Sequence, residues 1–242
     1  MNCSILVVAL WLIIVPALVK PVIDAVETRS VGTQMQIPLR CIQGAELSES
    51  LATLKLQEGP EVARVHESLL TKARTSTECR TQVVEALITA LEQATKDKTN
   101  QNEKFYLWQH GAGLLADLKA IEALDLLIAN INITDGWSAS LSEYHVPALA
   151  AILKIGAPAI PKLQTVLSKD SDSSKRLFAA LAIAYIGGSQ ARKALTSALP
   201  SETDPCVKKF VSVSLEAFNN KAKPNHISSG LNGKWLSAFY CR

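Results

Sequence analysis

Aromatic side chains make up only 5% of this chain, and the familiar catalytic signatures are missing from it. No C-x-x-C occurs, which argues against a dithiol redox motif and a zinc ribbon. The four histidines, His66, His110, His145 and His226, show no H-x-x-x-H or other ligand spacing. Neither G-x-S-x-G nor a phosphate-binding G-x-x-x-x-G-K is present. Gly111, Gly113 and Ala116 spell G-x-G-x-x-A, but inside a helical pattern. A dinucleotide site needs that motif after a strand, so here the small residues are read as letting helices approach. Glu58 and Glu61 sit among exposed residues and give no sign of a pocket. The shortage of aromatic residues, set against abundant Ala and Leu, excludes a typical β-sandwich and favours closely spaced helices.

What is there is enough to fold. A hydrophobic content of 48% over 242 residues rules out wholesale disorder and allows one large domain or a stack of small units. The net charge is +3, unevenly spread: residues 171–242 carry 10 Lys and Arg against 4 Asp and Glu, while residues 1–170 carry 15 against 18. Such a bias suits a solvated basic face, or an anionic partner such as nucleic acid. No nucleic-acid partner is expected, and a weak interaction through the basic third is kept as an alternative.

The opening stretch MNCSILVVALWLIIVPALVK carries no charged side chain before Lys20. It reads as a signal peptide cleaved after Ala17 or as a retained anchor, the only expected membrane contact. Either places the rest outside the cytosol: periplasmic, secreted or membrane-anchored facing out. The cysteines agree. Removal of Cys3 leaves Cys41, Cys79, Cys206 and Cys241, an even number suited to an oxidising compartment. Of three connectivities, Cys41–Cys79 with Cys206–Cys241 is preferred, because each closes the shorter loop and ties a poorly patterned end to a helical segment; four buried thiols are the other reading.

Residues 20–59 lack a sustained period and read as an irregular arm. From Pro60 the helical period takes over, with Val62, Val65, Leu69 and Ala73 on one stripe and Val83, Leu87, Ala90, Leu91 and Ala94 on the next. Asn132-Ile133-Thr134 is a glycosylation sequon in a loop. Later the pattern repeats. Ile155-Gly156 aligns with Ile186-Gly187 at a spacing of 31, and Asp172 with Asp204 and Arg176 with Lys208 at 32. Helix pairs recurring at such a period are the mark of an α-solenoid, because one hairpin cannot bury its own apolar face. Gly156 and Gly187 are placed to end helices.

These residues resemble the HEAT-like repeats, in particular the short kind named after phycobilisome lyases. Gly156, Pro158, Pro161, Leu163, Asp172, Arg176, Ala179, Ala180 and Ile186-Gly187 match that unit in order, followed by Asp204, Pro205, Val207 and Lys208 in the next. Lys175 departs from it, standing where an apolar residue is preferred. The match covers about 144–218 and, more loosely, 77–131. It implies a right-handed α-solenoid of about four hairpins over 60–219, and a structural ladder of Asp172, Arg176, Asp204 and Lys208 between repeats. Residues 220–242 read as a capping tail, with Trp235, Leu236 and Phe239 covering the last helix. The cluster FYLWQH, with Phe105, Tyr106, Trp108 and His110, reads as a plug between repeats or as a partner-binding spot. Lys175, Arg176, Lys208 and Lys209, with Arg192 and Lys193, are candidates for an anionic partner.

The expectation is therefore an all-α, non-enzymatic interaction or scaffold module for an unidentified protein partner. No catalytic, cofactor-binding or metal-binding residue is assigned. The resemblance keeps one alternative open, an enzyme accessory or lyase-like protein acting on a chromophore or a modified protein.

Overall fold

A computed structural model describes residues 41–134 and 145–219. The described residues are all-α, with ten α-helices and no strand. The helices are α1 (Gly44–Thr53), α2 (Pro60–Thr75), α3 (Thr77–Lys96), α4 (Gln101–Asp117), α5 (Leu124–Ala129), α6 (Pro147–Ile155), α7 (Ile160–Lys169), α8 (Ser173–Ile186), α9 (Gly188–Ala198) and α10 (Pro205–Asn219). Among them no helix is long and apolar enough to cross a membrane. The apolar run at 1–19, the capping tail at 220–242 and most of the arm lie outside the described residues. What is described of the arm, however, is not irregular: residues 44–53 form α1. Its weak apolar pattern hides it, because only Leu47 and Thr53 are buried along the helix.

Local chemistry starts several of these helices. Pro60 opens α2, where its missing N–H costs nothing, and Lys72 and Arg74 close it against the helix dipole. The Ser76 hydroxyl accepts from the Cys79 amide at the start of α3. Asn100 accepts from the Glu103 amide at 3.1 Å, and its own amide donates back to the Glu103 carboxylate at 2.6 Å. The first of these bonds satisfies one backbone donor that a bare helix end leaves orphaned, and the second holds the two side chains together. Asp172 accepts from the Ser174 amide to start α8, and Asp204 from the Cys206 and Val207 amides to start α10.

The helices then stack by alternation. In one row α2 meets α4, α4 meets α6, α6 meets α8 and α8 meets α10; in a second row α5 meets α7 and α7 meets α9. Helices cross-pair between the rows as α5 with α6, α7 with α8, and α9 with α10. This two-row stack is compatible with a helical repeat. The most enclosed helix, α8, buries every residue from Phe178 to Ala184, because α6, α7, α9 and α10 surround it. An apolar stripe would not suffice in such a position, which explains its alanine-rich composition.

Glycine acts at the unit ends as expected. Gly156 and Gly187 end α6 and α8 with φ of 88° and 72°, conformations that cost a residue with a Cβ about 1–2 kcal/mol. The earlier unit does the same job without glycine. Lys119 holds φ 51° just after α4, while its amide donates to the Ala116 carbonyl and the next amide, Ala120, to that of Leu115. Gly111 has a different role: a Cβ there would lie 3.3 Å from Leu91 Cδ2, so its absence lets α4 settle against α3. Cys41 and Cys79 form a disulfide across 38 positions, tying the entry to α1 onto α3.

Candidate functional site: a polar cleft on three helices

The row α2–α4–α6 carries a cleft of about 270 Å³. Its floor is made of small residues, Gly113, Ala116, Ala150 and Ala151, and its polar groups are Glu58, His66, Gln109, His110, Asp117 and Lys154. Helical spacing puts Tyr106, His110, Gly113 and Asp117 on one face of α4, separated by four, three and four positions.

Asp117 is the electrostatic centre. Its Oδ2 lies 3.1 Å from His66 Nε2, and Oδ1 pairs with the Lys154 ammonium. Burial opposes ionisation of this carboxyl, but the bonds from Lys154 and His66 outweigh it and hold the pKa below the ordinary aspartate value. Lys119 ties the arrangement down by donating to the Lys154 carbonyl.

His110 is different. It is 8% exposed, and its Nε2 has no hydrogen-bond partner among the described residues. Burial pushes its pKa down, opposed in part by a hydrogen bond to the Leu56 carbonyl and by the nearby Glu58. Its ring is therefore neutral at pH 7, where the reference imidazole pKa is about 6.5. Its Nε2 is left without a protein partner, and with the proton on Nδ1 it would present a free lone pair.

Chemically the cleft can hold and orient a polar group. Among the described residues that line it, none is Ser, Thr or Cys. No group of three side chains suited to a metal ion occurs among the described residues. A second hollow, of about 380 Å³, lies between α1, α3 and the start of α4. Its carboxylate Asp97 is already satisfied by the hydroxyl and amide of Thr99, which hold its pKa low.

The residues singled out in the sequence fall in several places. Trp108 is 0% exposed and offers a partner nothing; it is the plug of the two readings, buried between α4 and its neighbours. Phe105 and Tyr106 are half-buried and meet edge to face at 6.4 Å. His110 joins the cleft, and so does Glu58, against the expectation that it sees no pocket. The Arg176 rung takes a different partner from the one expected. Arg176 forks onto Glu202, at 3.0 Å from Nε and 2.9 Å from Nη2, and donates from Nη1 to the Asp170 and Ser171 carbonyls. Asp172 and Asp204 cap helices, and Lys208 is exposed. The reason is reach: with Asp204 accepting from the first turn of α10, the upstream Glu202 extends to the guanidinium. Arg176 is held in an ion pair; Arg192, Lys193, Lys208 and Lys209 are exposed and Lys175 is half-buried. Asn132 of the sequon is half-buried. Cys41 and Cys79 are joined as expected; the Cys206–Cys241 pairing involves Cys241, outside the described residues.

His66, Asp117 and Lys154 carried no sequence signal. They lie 51 and 37 positions apart, and only the stacking of three helices makes them neighbours. No protein-family model, curated protein or solved structure matches this chain.

Proposed function

We propose that this chain is a non-enzymatic interaction module, exported from the cytosol, that holds a protein partner against its α2–α4–α6 face. The observation that carries the reading is the cleft: a polar hollow of side-chain size, floored by small residues and containing a buried histidine nitrogen without a partner. Such hollows orient a ligand through a few placed polar groups. The repeat pattern of 144–218 supports a HEAT-like, right-handed solenoid as the scaffold, an architecture used mainly to present extended binding surfaces. That link from fold to role is analogy. The Cys41–Cys79 bridge supports an oxidising compartment, and the apolar run at the start of the chain supports the export route.

Site-specific photo-crosslinking in the producing cell tests the reading. A crosslinking residue at Gln109, in the cleft, is expected to give a defined adduct that the same residue at Arg192 does not give. Equal adducts from both positions, or none from Gln109, sink it. Cys41 and Cys79 should resist alkylation until reduced; ready alkylation in the native protein removes the export half of the proposal.

A further inference from the structure

Two groups in the cleft have no protein partner among the described residues. Glu58 has no ion-pair partner among the described residues, and His110 Nε2 has no hydrogen bond, although the residue is more than nine-tenths buried. An unsatisfied buried nitrogen is costly, which makes it a place where a ligand gains by supplying an N–H. The remaining charges do not supply one. Lys154 and the His66 ring are both turned onto Asp117, so the Glu58 carboxylate has no partner within the cleft. The surroundings have the same sign: residues 41–134 carry 13 Asp and Glu against 9 Lys and Arg.

Shape points the same way. Above Gly113 a Cβ would meet only His66 Cε1, at 3.8 Å, so this glycine is not required by helix packing as Gly111 is. The space it leaves is the cleft itself. Ala116, Ala150 and Ala151 continue the floor and suit the methylene stem of a long side chain.

We infer that the cleft takes the side-chain cation of a partner, a lysine ammonium or an arginine guanidinium, which donates to the Glu58 carboxylate and to His110 Nε2. The inference rests on the partner-docking reading above and names what that partner inserts. A neutral amide of the same length lacks the charge for Glu58, and an anion meets a carboxylate of its own sign.

The test uses the full-length oxidised protein, with Nα-acetyl-arginine amide and Nα-acetyl-lysine amide as probes and Nα-acetyl-citrulline amide as the neutral control. Histidine ring resonances are followed by NMR. Either cationic probe should shift His110 and His66 saturably, with Kd of about 1–10 mM for so small a fragment, and citrulline should not. Glu58→Gln should weaken the cation about threefold at low salt, an exposed carboxylate's share; being at the surface, it leaves folding intact. Gly113→Leu should abolish the shifts by filling the cleft. Saturation by citrulline with equal affinity overturns the inference, as does indifference to Glu58→Gln. If the Gln109 adduct forms but no cation binds, the docking reading stands and the cation falls. If the cation binds but no adduct forms, the site is one for a free cation and the protein partner falls.

Discussion

Arg80 and Arg176 do the same work at two heights of the stack. Each projects from the first turns of a helix and forks onto a glutamate of the next unit: Arg80 onto Glu122, and Arg176 onto Glu202. Each also reaches a backbone carbonyl, Leu118 in the first case and Asp170 in the second. Their surroundings differ. Arg80 and Glu122 are 30% and 43% exposed, whereas Arg176 and Glu202 are 12% and 3% exposed. The first pair has water to fall back on when broken, and the second does not. The first region is compensated by the Cys41–Cys79 disulfide, which holds the entry to α1 onto α3. The same motif thus has unequal weight, and burial sets the weight.

The largest expected effect removes the compensation. Replacing Cys41 and Cys79 together with Ser frees a loop of 38 positions and should cost about 4 kcal/mol, if constraint of the unfolded chain is the source. Urea unfolding of the two proteins measures it, and equal midpoints would show that the bridge is incidental. Next comes Glu202→Ala, which strands a nearly buried guanidinium and should cost about 3 kcal/mol. The matching change at the exposed rung, Glu122→Ala, should cost at most about 0.5 kcal/mol. Equal losses at the two rungs would remove the comparison.

Acid sharpens the contrast. Burial opposes ionisation of Glu202, but the Arg176 guanidinium and the Asp204 and Thr203 amides outweigh it, so the folded pKa lies below the ordinary glutamate value. A carboxyl depressed on folding stabilises the protein above its unfolded pKa, about 4.3, and that stability is lost as the pH falls through the lower folded value. Stability should therefore decline below about pH 4, and Glu202→Gln should flatten this part of the profile. A wild-type profile no steeper than that of Glu202→Gln contradicts the assignment.

Between these and the exposed rung in size lies the turn that ends each unit. Lys119→Gly should stabilise the protein by up to about 1 kcal/mol, because Gly accepts φ 51° without a Cβ penalty, a gain reduced by loss of the exposed bond from the Lys119 ammonium to the Lys154 carbonyl. Gly156→Ala, at φ 88° and ψ −140°, a conformation open mainly to glycine, should do the reverse by about 1–2 kcal/mol. Thermal or urea midpoints of the two variants check the pair, and shifts of the same sign would refute the reading of these turns.

The parts of this fold that can be read locally were legible before any coordinates. Apolar positions at helical spacing mark Val62, Leu69, Val83 and Leu87 as core; Pro60 marks a helix start; Gly156 and Gly187 mark helix ends. The all-α class follows from these, since period, cap and left-handed glycine depend on neighbours a few residues away. Elements without such signals escaped. Helix α1 buries too little to show a stripe, and the end of α4 uses Lys119 where the other units use glycine. The cleft escaped altogether, because its residues come from three helices and none is unusual on its own helix. A glutamate before a proline-capped helix, a histidine beside a valine and an aspartate at a helix end are ordinary features singly.

By itself, then, the sequence determined that this chain folds into short stacked helices, where most of them begin and end, and which cysteine suited Cys79. Those properties follow from local spacing and from loop length. Only the tertiary structure decided that Arg176 meets Glu202, that Trp108 is sealed while His110 lines a cleft, and that Asp117 stands between His66 and Lys154. Each depends on which helix faces are covered and how far a side chain reaches across a stacking contact, and that geometry exists only once the helices have packed.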